Sequence, residues 1–332
     1  WTDTSGANII YVAIRRGPLA APTDATKVFG VTNANEPSSS ELQTQSGVLT
    51  DMLLHRPRIT SNGEPFFAAD RLRGRNKYLQ TSSTSAEADS QSAVSLNFWQ
   101  FDNNDYAYIE SGQYYNNSGG TGQEQINYTW KRAPGYFDAC CYIGNDTAGR
   151  TVSHNLGAVP EMMWTKRRNS TGGDWDVYHK DIGNTKYLTL NSTAAASTSQ
   201  YTWNNTTPTE SVFTIGTGAN NTNGDDFIAY LFATVAGVSK LGSASHTSGS
   251  TTNVDCGFSS GARFVILKAS SIASQWMVFD TVRGIVSGVS PFMRLNQTGA
   301  EVTSTDIIDP YSTGFAIDAT VSTGTYIYYA IA

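Results

Sequence analysis

The sequence predicts an all-β chain of tandem β-sandwich, jelly-roll-like modules of about 100 residues each. Three observations predict it. An apolar, aromatic strand is written four times, as "GANIIYVAIRRGP" from Gly6, "QINYTWKRAPG" from Gln125, "GDDFIAYLFATVAG" from Gly224 and "GTYIYYAIA" from Gly324. Four further blocks recur three times in one order, which marks a repeat. Charged residues are only 15% of the chain, so Ser, Thr, Asn and Gly supply most of the polar surface.

The elements follow in chain order. The first recurring block is "TDMLLHRPR" (Thr50–Arg58), "PEMMWTKRR" (Pro160–Arg168) and "ARFVILKAS" (Ala262–Ser270). Its short apolar runs suit a strand buried on both faces. The second is "PFFAADRLRG" (Pro65–Gly74), "DWDVYHKDIG" (Asp174–Gly183) and "QWMVFDTVRG" (Gln275–Gly284), where β-branched and aromatic residues favour a pleated surface. The third is "KYLQTSSTSAE" (Lys77–Glu87), "KYLTLNSTAAA" (Lys186–Ala196) and "PFMRLNQTGAE" (Pro291–Glu301). The fourth is "SLNFWQFD" (Ser95–Asp102), "SVFTIGTG" (Ser211–Gly218) and "TGFAIDAT" (Thr313–Thr320), and its later copies alternate as half-buried strands do. Helix signals are weak; "NSTAAASTSQ" and "NQTGAEVTST" could each hold a helical turn. The fourfold apolar strand closes each unit. It gives residues 1–17 as the last strand of a preceding repeat, then repeats 18–133, 134–237 and 238–332, each long enough to own a core. "TYIYYAIA" is apolar on nearly every residue, so it must lie inside a sheet rather than at its edge.

Composition excludes several functions. Net charge is −6 with no sustained basic face, which argues against nucleic acid. No run approaches the length of a membrane span. His55, His154, His179 and His246 have neither metal nor triad spacing. The carboxylate neighbours Asp225/Asp226 and Asp102/Asp105 read as turn chemistry rather than a catalytic pair. Adjacent Cys140 and Cys141 should point to opposite faces of a strand. No catalytic residue, metal ligand or cofactor is therefore expected. Trp164, Trp175 and Trp276 lie in the core blocks and should be buried. Trp203, Tyr114 and Tyr115 lie in loop-like segments and are the candidates for ligand contact, since exposed rings can stack on sugars.

The stretch "YTWKRAPGYFDACCYIGNDTAGRTVSHNLGAVPEMMWTKRR" (Tyr128–Arg168) resembles a repeat found in structural proteins of tailed phages, marine ones especially. "IIYVAIRRGP" and "GTYIYYAIA" are similar to other segments of the same family. The resemblance implies a virion protein: a tail fibre, a receptor-binding appendage or a capsid decoration. The lack of catalytic sets makes a non-enzymatic role the expectation, with a carbohydrate-binding module of a surface protein as the alternative. The resemblance also implies other virion proteins as partners, a homo-oligomer with a homotrimer expected for a fibre, and a host surface glycan as a possible receptor. It supplies no catalytic or ligand-binding residue.

Overall fold

The computed structural model describes residues 20–35, 42–44, 47–58, 63–89, 101, 107–109 and 124–332. The expected strand of residues 1–17, and Tyr114 and Tyr115, lie outside them. Repeat 1 comprises β1 (Phe29–Asn35), β2 (Leu42–Thr44), β3 (Met52–Pro57), β4 (Phe67–Asp70), β5 (Lys77–Gln80), β6 (Ala88–Asp89), β7 (Ala107–Ile109) and β8 (Glu124–Trp130). Repeat 2 comprises β9 (Phe137–Ile143), β10 (Arg150–Ser153), β11 (Met162–Arg167), β12 (Trp175–His179), β13 (Lys186–Thr189), β14 (Ser197–Thr198), β15 (Val212–Ile215) and β16 (Asp226–Phe232). Repeat 3 comprises β17 (Ser239–His246), β18 (Thr252–Asp255), β19 (Phe264–Ala269), β20 (Met277–Asp280), β21 (Met293–Arg294), β22 (Ile308–Tyr311), β23 (Gly314–Ile317) and β24 (Gly324–Ile331).

The chain is all-β, and its repeats share one topology. The large sheets run β1-β8-β3-β4-β5-β6, β9-β16-β11-β12-β13-β14 and β17-β24-β19-β20-β21. In each, the last strand of the repeat inserts beside the first, with antiparallel partners on both sides. The closing strand β24 is thus central, as its composition requires. The smaller sheets are β2-β7, β10-β15 and β18-β23-β22. Repeat 3 departs in one respect: β22 joins its small sheet, whereas β6 and β14 extend their large ones. Of the two possible helical segments, only the first meets a helix. That segment, residues 191–200, turns at Asn191 and then holds β14, and the short helix α1 (Gln200–Trp203) starts at its last residue, begun by the Ser199 side chain accepting from the Tyr201 N–H. The second carries a bridge between Phe292 and Val302.

Strand alternation divides two cores. On β16, Phe227, Ala229 and Leu231 face the small sheet of repeat 2, where Val152, Phe213 and Ile215 meet them. On β24, Tyr326, Tyr328 and Ala330 do the same with Phe315 and Ile317 in repeat 3. The opposite faces of all three large sheets enter one common core. Trp130, Phe232 and Ile331, equivalent in the three closing strands, all lie in it with Met52, Trp164 and Phe264. Ring centroids there are close: Trp130–Phe264 5.7 Å, Trp130–Phe232 6.3 Å and Phe232–Tyr329 5.2 Å. Repeats 2 and 3 therefore each own a sandwich core and also share a second with repeat 1. The three repeats close into a ring around that shared core.

Candidate functional site

Several of the ionisable side chains that burial perturbs strongly lie where one repeat meets the next. Between repeats 1 and 2, Asp70 ends β4 and Arg73 follows in a turn closed by Gly74, whose φ of 82° disfavours a side chain. The Arg73 and Asp70 side chains are fully buried and paired. Across the seam, the Tyr230 hydroxyl donates to Asp70 Oδ2 at 2.6 Å and accepts from Arg73 Nη2 at 3.0 Å. Glu87 joins Arg73 (3.2 Å) to Arg168 of repeat 2 (2.9 Å). Burial opposes charge on Arg73, but Asp70, Tyr230 and Glu87 more than reverse it and the guanidinium stays charged.

The seam between repeats 3 and 1 repeats this with Asp280, Arg283, Tyr128 and Glu301. Tyr128 donates to Asp280 at 2.8 Å and accepts from Arg283 at 2.9 Å, and Glu301 joins Arg283 (3.1 Å) to Arg58 (3.0 Å). The seam between repeats 2 and 3 is uncharged at the matching positions. His179 stands for the aspartate and Ile182 for the arginine. His179 Nδ1 accepts from the Asp181 N–H at 3.2 Å, and the ring faces the Tyr328 backbone of repeat 3.

A second contact is present in all three seams. A cation at the fifth position of the third strand reaches carbonyls of the neighbouring repeat. Lys166 donates to Thr84 O (3.2 Å), Lys268 to Thr193 O (3.0 Å) and Arg56 to Gln297 O (3.1 Å). Burial lowers both lysines to about 8. Trp175 Nε1 donates to Gln80 O at 2.9 Å, and Trp276 Nε1 to Thr189 O at 3.0 Å. Repeat 1 has Phe66 there, with no donor, and Arg56 takes over the orphaned carbonyl of Arg294 at 3.2 Å.

Of the residues singled out for ligand contact, Tyr114 and Tyr115 lie outside the described residues, and Trp203 is placed differently from expectation. Trp203 is 0% exposed. The polar run "QYTWNNTTP" suggests a loop ring, but α1 turns Trp203 into the repeat 2 core, edge-on to Tyr178 at 5.9 Å. It offers no surface for a sugar. Its Nε1 has no acceptor among the described residues. Trp203→Phe should therefore lower stability by only about 1–2 kcal/mol, since no hydrogen bond is lost. Thermal melts of the two proteins check this.

The histidines are held by local partners. His55 meets Asn127 Oδ1 at 2.6 Å, His154 meets Thr209 O at 3.2 Å, and His246 meets Thr252 Oγ1 at 2.9 Å. Cys140 is half-buried, Cys141 exposed and Cys256 buried, and all three are free thiols. Burial, then Asp138 and Cys141, push Cys140 up to about 12, far from a reactive thiolate. Asp176, on the outer face of β12 where repeat 3 has Met277, is raised by burial and then by Asp174 to about 7.

Among the described residues, Asp306, Asp309 and Asp318 are the group able to hold a cation, with carboxylate oxygens within 4.8 Å of one another. Such oxygens are suited to a hard ion. Burial, then Asp309 and Asp318, raise Asp306, and its Oδ1 has no partner among the described residues. In chelator-treated buffer, Asp306→Asn should raise the melting temperature by removing like-charge repulsion. A fall would show that attraction from another group holds the carboxylate.

A family model described as a domain of unknown function, DUF7483, matches residues 25–332. The chain belongs to the DUF7483 family. The match takes in all three repeats, so a DUF7483 domain is the whole ring rather than one sandwich. No curated protein and no solved structure matches the chain. No described helix of this DUF7483 chain is long and apolar enough to cross a membrane.

Proposed function

We propose that this chain is a non-enzymatic virion component of a tailed phage, serving in a tail fibre or receptor-binding appendage. The observation that carries the reading is the seam chemistry. Strongly perturbed side chains often mark a catalytic cleft, but ion-pair networks perturb them too. Here Arg73, Arg283, Arg56, Lys166 and Lys268 are engaged across seams, holding the ring closed. That investment suits a rigid spacer or adhesin. The similarity of Tyr128–Arg168 to repeats of phage structural proteins supplies the virion context. Because three copies of the fold already close around one core within one chain, a fibre would join chains through other faces than the inner sheets.

Antibody–gold labelling of intact particles tests the reading, with serum raised against residues 134–332. Label at the tail or its fibres is expected. Label spread over the head would make this a capsid decoration protein. Unlabelled particles that label after disassembly would place the epitopes inside the assembly, and particles unlabelled in both states would end the virion reading.

A further inference from the structure

The ring is nearly threefold, so a place where one repeat leaves polar groups unused while its equivalents do not is informative. Asp51, Glu161 and Arg263 precede the third strand of each repeat, and each accepts through its carbonyl from the residue after the fourth strand. In repeat 1, Asp51 is saturated: Oδ1 accepts from Arg71 at 3.1 Å and Oδ2 from the Arg132 N–H at 2.7 Å. In repeat 3, Arg263 donates to the Ala332 carbonyl at 2.7 Å. In repeat 2, Lys180 (3.1 Å) and Thr234 both fall on Glu161 Oε2. Oε1 is left without a protein partner among the described residues.

Glu161 lines a cleft of about 320 Å³, at the small end of the range for ligand sites. Val159, 41% exposed, and the buried Pro160 supply apolar lining. Asn184 and Thr207 also line the cleft, and Asn184 Nδ2 donates to Thr207 Oγ1 at 2.9 Å, leaving the amide oxygen and the hydroxyl proton for a ligand. Thr207 is placed by a loop in which Asn204 and Asn205 both have positive φ, 51° and 47°. That conformation is uncommon away from glycine.

We propose that this cleft binds one ring of a neutral saccharide. Lys180 and Glu161 cancel each other's charge, so an anionic ligand gains nothing and would face the free Oε1. A sugar ring offers the complement: C–H groups for the exposed Val159 side chain, and hydroxyls that donate to Glu161 and Asn184 and accept from Thr207. This deepens the receptor-binding reading and rests on it for biological meaning, while the binding itself does not.

Saturation-transfer NMR on the full chain tests it, with the methyl glycosides of glucose, galactose, mannose and N-acetylglucosamine as probes. Transfer to at least one glycoside is expected. Asn184→Ala and Glu161→Gln should each weaken it by about tenfold, the scale of one lost hydrogen bond to a charged or amide group. Leu72→Ser, on the equivalent turn of repeat 1, should leave it unchanged. No transfer from any glycoside, or equal transfer in wild type and both cleft variants, overturns the proposal. Transfer lost alike in all three variants also overturns it. Tail labelling without transfer sinks the cleft and spares the virion reading. Transfer with particles unlabelled both intact and disassembled does the reverse.

Discussion

Arg73→Ala destabilises the ring by about 3–5 kcal/mol, the range for removing one partner of a buried ion pair. Asp70 would lose its cation at a site where both side chains are fully buried, with the Tyr230 hydroxyl and the Arg73 backbone N–H as its remaining donors among the described residues. The Tyr230 hydroxyl would lose its donor, and Glu87 would keep only Arg168. The double change Asp70→Leu with Arg73→Met should cost less than Arg73→Ala alone, because no charge is left stranded. The seam between repeats 2 and 3 shows that the position tolerates an uncharged solution, His179 with Ile182. Urea unfolding followed by tryptophan fluorescence measures both variants. A double variant as damaged as the single one would mean that the network contributes attraction beyond satisfying its own buried charge.

Acid should weaken the fold through two buried histidines. Burial holds His55 near 4 and His179 near 3, against 6.5 when unfolded. Both folded values are depressed, so the unfolded chain binds more protons below pH 6.5 and stability falls as pH falls. From pH 7 to 4.5 the pair loses on the order of 5 kcal/mol. Asp176 opposes this. Its folded value of about 7 lies above the usual carboxylate range, so it takes up a proton on folding in the same window and returns about 3 kcal/mol. The expected result is a net loss of about 2 kcal/mol at pH 4.5. In Asp176→Asn, which lacks the offset, the loss should more than double. In His179→Gln the acid loss should shrink or reverse. Urea midpoints at the two pH values decide. An Asp176→Asn variant with an unchanged acid response would show that this carboxyl is already ionised in the fold.

The repeat, the strands and the central place of β24 were legible because they follow from local pattern. Apolar residues at nearly every position of "TYIYYAIA" can be satisfied only with both faces covered. The shared core was not legible. Alternation in "FIAYLF" distinguishes two faces of β16, but nothing local says that one meets the small sheet of its own repeat and the other meets two further repeats. The roles of Asp70 and Arg73 were hidden for the same reason, since their partner Tyr230 is 160 and 157 residues away. One signal was available. The D-x-x-R-G pattern stands in repeats 1 and 3 and is lost in repeat 2, while each closing strand keeps a tyrosine, at Tyr128, Tyr230 and Tyr329. A charged pattern kept in two copies of three beside an aromatic kept in all is what a seam would leave. Trp203 misled because burial of a single large ring in a polar segment depends on a four-residue helix too short to show a period. Glu161 and Asn184, 23 residues apart in sequence, show no motif; only the comparison of equivalent turns in the folded ring reveals their unused valences.

The seam between repeats 3 and 1 joins residues as much as 243 positions apart, Arg56 to Gly299 and Arg58 to Glu301. Tyr329 and Ile331 stand in the common core beside Phe29. During synthesis, therefore, repeat 1 waits with part of one face of its large sheet uncovered until repeat 3 has left the ribosome. Such high contact order makes folding slow and leaves a long interval in which the exposed face invites pairing with other chains. A nascent chain halted before Gly324 would lack the closing strand of repeat 3 and would leave the inner face of repeat 1 without its Tyr329 and Ile331 neighbours.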